Sequence, residues 1–483
     1  MRFLLHVLSG AQALIFLPLI ARTFGEAGYG VWTQISLTAA LVHPLATLQL
    51  GRSVVRYLEA IPSGHGRSEA YYSTAWTVWG TGAAFIALAL LLRRAIGAAL
   101  FGAPALDAYV LLLAVLIAVN ASLSISLAYF RSLGKLRLVT AIQAAATLGT
   151  IGVVTTTVLG FGGGLHAGGA AWVASRAVAA LVAQAAVSRE AGFCAPRWSG
   201  KLGMFLRYSL PLIPASAAAW ILEYSDRYVI VHMLDLERAG VYAGSCQLAR
   251  LMRVMMMPLS FVLLPTMIRL WNGGARDQAL GLMRVSLAGY AAFAGLGVGF
   301  LVALGPTLLR VLGTPAFQQP GGLLALLVFG QLFVALCLLF SLILYLHERT
   351  QTVMAVAFVA AALNIGLNLL LIPRWGILGA AVATFLSFAA QLTATILAIG
   401  RYHCVSIPTR PLLRILLATV ALYGVLSLSR LRGLAWTIAG IVGGGAIYVG
   451  VLLSSREVRA AMRRFLRSGG EEWVEGPSGP FAD

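Results

Sequence analysis

Apolar runs of roughly 18 or more residues recur from one end of this chain to the other. Each is long enough to cross a bilayer hydrocarbon core of about 30 Å. Lipid offers no partner for exposed backbone N–H and C=O groups, so such runs must close their hydrogen bonds internally, as helices. The spacing predicts fourteen spans: 3–21, 30–50, 72–92, 107–128, 139–160, 168–187, 208–234, 240–265, 283–304, 321–346, 351–372, 376–399, 411–429 and 433–454. Composition agrees. The 483 residues are 60% hydrophobic and 11% charged, against about a quarter charged in a soluble domain. The first run, "FLLHVLSGAQALIFLPLIA", has no small-residue cleavage site after it and reads as a retained span. The expected fold class is an all-α polytopic membrane protein.

A net charge of +19 would suit nucleic acid, but the basic residues sit in short loops between spans, where they set topology. Of the 35 Lys and Arg residues, 23 fall on the side of the N-terminus, 8 on the opposite side and 4 within spans. Positive loops stay in the cytoplasm, so both termini are expected there, in a bacterial inner membrane. The longest loops, 51–71 and 188–207, lie on that side, and the Gly/Pro-rich end of the tail 456–483 reads as disordered. The four cysteines are far apart with no CxxC and read as free thiols. No Walker loop, HExxH or GxSxG occurs. Membrane polymerases and ligases need a large outer loop with catalytic residues, whereas every outer loop here is short; no enzyme is expected.

A repeat divides the chain. The Ala27-Gly28 and Ala239-Gly240 pairs are 212 residues apart, "RLVT" at Arg137 and "RTQT" at Arg349 are 212 apart, and "GAA" at Gly169 and Gly379 are 210 apart. Spans 1–6 (residues 1–200) thus look like spans 7–12 (201–402), and spans 13 and 14 (403–455) are an addition. Copies with an even number of spans insert the same way round, as parallel repeats with a substrate path between them.

Charges inside spans are expensive unless paired or wetted. In "ILEYSDRYVIVHML", residues 221–234, Glu223, Asp226 and Arg227 share one helical stripe. Glu223 and Arg227 are i,i+4 and form an expected ion pair; Asp226 is left without a partner in its helix. Arg250 and Arg253 are three apart on one face of a span that holds no acid. They either pair with Glu223 and Asp226 or line a cavity that receives a phosphate or acidic sugar, for which the planar arginine fork is suited. Met252, Met255, Met256 and Met257 beside them read as core filler or as a soft lining. Arg22, Arg52 and Arg56 lie at span ends, where arginine normally snorkels to head groups. Arg176 is deeper, again with no acid in its span.

Several stretches are similar to a known family. "ARTFGEAGYGVW", "YSLPLIPASAAAWILEYSDRYVIVHMLDLERAGVYAGSCQLA" and "WGILGAAVATFLSFAAQL" resemble bacterial polysaccharide exporters, the flippases of lipid-linked O-antigen and related oligosaccharides. Their superfamily also holds the multidrug extruders. The resemblance implies two six-helix lobes around a cationic cavity with alternating access, and a polyprenyl-pyrophosphate-linked oligosaccharide as substrate. Glycosyltransferases and a polymerase would be pathway partners. It supports Arg22, Arg52, Arg250 and Arg253 as cavity residues, and Arg176 joins them as a candidate by its depth in a span without an acid. It also implies a cation site on spans 7, 11 and 12. Asp226, Asn364, Asn368 and Thr384 are the matching residues, a hard-oxygen set suited to Na⁺, with Asn368 standing where an acid can occur. The coupling ion would be Na⁺ or H⁺. The rival readings are a small-molecule antiporter and a peptidoglycan-precursor flippase. More intramembrane arginine than acid favours an anionic substrate.

Overall fold

A computed structural model describes residues 2–62, 64–195, 200–254, 256–319, 322–401, 409–430 and 434–454. Among the described residues the regular structure is helical, without strands. The helices are α1 (Arg2–Ala46), α2 (Leu50–Tyr57), α3 (His65–Phe101), α4 (Asp107–Ser132), α5 (Leu136–Thr155), α6 (Leu165–Ala191), α7 (Gly200–Ser209), α8 (Leu212–Met233), α9 (Leu236–Ala249), α10 (Leu251–Val254), α11 (Met257–Asn272), α12 (Arg276–Leu312), α13 (Leu323–Leu346), α14 (Thr350–Gly400), α15 (Thr409–Arg430) and α16 (Leu434–Ser454).

Ten helical stretches are long and apolar enough to cross a membrane. One of them, α14, holds two crossings joined at Gly376, and α1 likewise holds two joined at Gly25. Helices α9 to α11 make a further crossing in three pieces, so the fourteen expected spans are all present. Gly25 (φ 73°) and Gly376 (φ 60°) sit where an L side chain would be strained, which lets the chain reverse almost without a loop. The tail 456–483 and Cys404 lie outside the described residues.

Two compact units emerge: residues 1–244 with 368–377, and residues 245–367 with 378–483. This division does not follow the repeat boundary expected near residue 200. Span 7 and the first turns of span 8 pack with spans 1–6, for identifiable reasons. Trp220 Nε1 donates to the Leu37 carbonyl at 3.0 Å, Gln49 Nε2 donates to Ser216 Oγ at 2.7 Å, and the Thr38 and Tyr228 hydroxyls are 2.5 Å apart. Above all, α1 and α9 cross at two glycines. A Cβ on Gly30 would clash with the carbonyl oxygen of Leu236; one on Gly240 would clash with that of Glu26 and lie 2.9 Å from the Gly30 nitrogen. Backbone meets backbone, so only glycine fits.

This crossing also corrects the repeat register. Gly25, where α1 turns back, corresponds to the break between α8 and α9 at Asp235; Gly30-Val31-Trp32 corresponds to Gly240-Val241-Tyr242. At this crossing the offset is 210, that of the "GAA" pair, whereas the turns at Gly134 and Glu348 are 214 apart, on the other side of the 212 between the Ala-Gly pairs. Short matches in an Ala/Gly-rich chain slip easily by two residues; a backbone reversal does not.

Candidate functional site

Helix α8 places Asp226 and Arg227 in the interior of the first unit, each 3% exposed. Asp226 Oδ1 accepts from the Arg227 backbone N–H at 2.9 Å and from Arg227 Nη1 at 2.7 Å, while Oδ2 accepts from the Tyr242 hydroxyl at 2.6 Å. Arg227 also donates to the main-chain carbonyl of Glu223 at 2.5 Å. Its guanidinium carbon lies 5.4 Å and 5.3 Å from the ring centres of Tyr224 and Tyr242. The ion pair expected between Arg227 and Glu223 therefore takes another form. Arg227 reaches Glu223 through its carbonyl oxygen, and the carboxylate it meets at 2.7 Å belongs to Asp226. An i,i+4 rule looks along the helix; here a long side chain folds back onto its neighbour, and two aromatic faces hold it there by cation–π attraction. Asp226, expected to lack a partner in its helix, has one in the next residue.

The repeat supplies an internal control. Counting back 210 residues, Asp226, Arg227 and Tyr242 fall on Phe16, Leu17 and Trp32. Phe16 meets Trp32 edge to face, with centroids 5.3 Å apart, and Leu17 is fully buried. The same backbone corner is thus filled by apolar contacts in one copy and by an ion pair with a tyrosine donor in the other.

The other residues of the expected cation set are buried as well: Asn364 and Thr384 in the second unit, Asn368 in the first, 1%, 7% and 0% exposed. The turns that precede α5 and α14, at Gly134 and Glu348, are 214 apart, so Asn364 and Asn368 correspond to Thr150 and Val154, and one polar member has a polar counterpart. Both carboxylate oxygens of Asp226 already accept from donors, and a guanidinium cation sits at 2.7 Å.

Of the expected cavity arginines, Arg22 and Arg52 are exposed in the first unit. Arg56, beside Arg52 on α2, lies over the rings of Tyr57 and Tyr208 at 5.5 Å and 5.0 Å. Arg176 is half-buried within α6, and its Nε is a buried donor with no described partner.

In the second unit, Arg250 and Arg253 are half-buried at a break in the helix. Helix α9 ends at Ala249, α10 covers only Leu251–Val254, and α11 begins at Met257. The Arg253 N–H bonds to the Arg250 carbonyl at 3.0 Å, a tight turn in place of the regular helical bond. Pro258, in the first turn of α11, has no N–H for the carbonyl of Val254 four residues back, which weakens the helix at this point. Arg250 Nη1 donates to Gln247 Oε1 at 3.3 Å. The sequence predicted one unbroken span here. Hydropathy is blind to the backbone, and Pro258 was the available signal. Irregular backbone at membrane depth persists only where it is buried in protein or lines a water-filled path.

Sequence reasoning missed Tyr242 and Tyr224, which hold the ion pair; the match of Gly-Val-Tyr at 240 to Gly-Val-Trp at 30 was the clue to the first.

Comparison with known proteins agrees with this architecture. The model of the family "Polysaccharide biosynthesis protein" matches residues 2–271, and that of "Lipid II flippase MurJ" matches residues 239–438. The structure of lipid II flippase MurJ in an inward closed conformation superimposes with a TM-score of 0.75 at 16% identity, over 95% of this chain and 100% of the other. An inward-facing multidrug resistance MATE family transporter of the MOP superfamily gives 0.63 at 13% identity, over 83% and 94%. At these identities the likeness establishes the fold. An uncharacterized membrane protein of Methanocaldococcus jannaschii is 24% identical over 184 residues, 38% of this chain; the match spans 36% of the relative's length. With a fold shared along nearly the whole chain and a family model matching more than half of the residues, this multi-pass membrane protein belongs to the polysaccharide biosynthesis protein family.

Proposed function

We propose that the protein flips a polyprenyl-pyrophosphate-linked oligosaccharide from the cytoplasmic to the outer leaflet of a bacterial inner membrane, by alternating access, for synthesis of an O-antigen, capsule or exopolysaccharide. The observation that carries this reading is the interrupted helix at Arg250 and Arg253. A transporter for an anionic head group needs cations at membrane depth and a reason for water to reach them. Two arginines at a helix break meet both needs, and their planar donors match a diphosphate. The charge asymmetry of the loops puts both termini in the cytoplasm. A second reading is a peptidoglycan-precursor flippase, favoured by the match of residues 239–438 to the lipid II flippase family.

The test is complementation in a strain lacking its own copy. Arg250→Ala with Arg253→Ala should lower surface polysaccharide at least about tenfold, the effect of losing one charge-assisted hydrogen bond of about 1.5–3 kcal/mol, with the protein still in the membrane. Normal polymer from the double variant would refute the reading. Rescue of a strain lacking its lipid II flippase would select the second one.

A further inference from the structure

We propose that Arg227 is a tethered cation: it fills the place at the Asp226 carboxylate that a free monovalent ion would take, and the pair is kept for transport and not for folding. The geometry supports the first half. Oδ1 receives two donors from Arg227, at 2.9 Å and 2.7 Å, and Oδ2 receives the Tyr242 hydroxyl at 2.6 Å. The Tyr224 and Tyr242 rings on either side hold the guanidinium in place by cation–π contact. A sodium ion at the same oxygens would sit against the Arg227 guanidinium, like charge beside like charge, in a space whose members are 3% exposed.

The repeat supports the second half. In the first copy, which reverses the chain at Gly25 as the second does at Asp235, the matching positions Phe16, Leu17 and Trp32 pack by apolar contact. A buried ion pair seldom stabilises more than apolar residues of similar volume. Stability alone therefore gives no reason for Asp and Arg in one copy where Phe and Leu serve in the other.

Thermal unfolding of the detergent-solubilised protein in sodium chloride and in N-methylglucamine chloride tests the tether without any substrate, so it stands or falls apart from the flippase reading. The wild type should unfold at the same midpoint in both salts. Arg227→Gln should unfold earlier in N-methylglucamine and regain its midpoint in sodium with a saturable dependence. Arg227→Lys should respond to sodium less than Arg227→Gln, and Asp226→Asn added to Arg227→Gln should remove the response. A sodium-specific stabilisation of the wild type, abolished by Asp226→Asn, would overturn the proposal, and that comparison decides even if Arg227→Gln fails to accumulate. Asp226→Phe with Arg227→Leu copies the first repeat. It should accumulate and unfold normally while surface polysaccharide falls at least about tenfold. Failure to accumulate, or normal polymer, would show that the pair is not kept for transport.

Discussion

In the first unit, α3, α4 and α6 are tied by side-chain hydrogen bonds. The Tyr71 hydroxyl donates to Gln184 Oε1 at 2.6 Å, Ser126 donates to the same oxygen at 3.1 Å, Tyr72 and Ser188 share a bond of 2.9 Å, and Trp79 Nε1 donates to Ser122 at 3.1 Å. In the second unit, α12, α15 and α16 meet through glycines. A Cβ on Gly299 would lie 2.8 Å from Leu422 Cδ2, and one on Gly444 would lie 2.8 Å from its Cδ1. Lipid tails are as apolar as leucine, so helices in a membrane are held by polar bonds or by close backbone approach. Hydrogen bonds fix an orientation, because donors and acceptors must align. A glycine seam fixes only a distance. The difference is one of proportion: hydrogen bonds dominate the first bundle and glycine contacts the second, where the Tyr448 hydroxyl still ties α16 to the Ala292 carbonyl of α12.

The largest expected effect comes from the place where the contrast breaks down, the glycine crossing inside the first unit. Gly240→Ala should destabilise the protein by about 3 kcal/mol, the upper end of ordinary overpacking, because the atoms it meets are backbone and cannot change rotamer. A wild-type thermal midpoint for this variant would mean that the helices slide apart freely there. Next comes Gly299→Ala in the second unit, at about 2 kcal/mol, since Leu422 can yield in part. Combined with Leu422→Ala, it should show a favourable coupling of about 1 kcal/mol in a double-mutant cycle of unfolding. Strict additivity would remove Leu422 as the obstacle. The smallest is Gln184→Leu, at about 1 kcal/mol. It removes the shorter bond of the Tyr71 hydroxyl and leaves it Ser126 Oγ at 3.2 Å, and interhelix hydrogen bonds in bilayers average well below their value in vacuum. A loss as large as that of Gly240→Ala would show that the hydrogen-bonded bundle depends on this one acceptor.

The spans were legible because burial in lipid forces a run of apolar residues of a set length, and no tertiary contact is needed to read it. The lobes were legible only approximately. The repeat survives in Gly25, Gly30 and Gly240, where backbone geometry demands a residue; the Ala-Gly pairing matched Gly240 to Gly28, where the crossing matches it to Gly30. The break at Arg250 lay beyond hydropathy, which scores side chains and not carbonyls; Pro258 announced it. The fate of Asp226 was not legible at all. Helical spacing directs attention to Glu223 for Arg227, and the residue that completes the carboxylate's bonds, Tyr242, lies across a chain reversal in another helix.

The crossing of α1 and α9 has a thermodynamic character of its own. In an α-helix the Glu26 carbonyl already accepts from the N–H of residue 30, and the Leu236 carbonyl from that of residue 240. The two oxygens that face the opposing glycines are therefore satisfied before the helices touch. What joins the helices is dispersion and weak Cα–H···O attraction, each contact worth about 1 kcal/mol or less. Parting them strands no polar group and requires no water to enter. Such a seam can be opened and resealed many times without a desolvation barrier, and it re-forms where Gly30 and Gly240 let the two backbones touch.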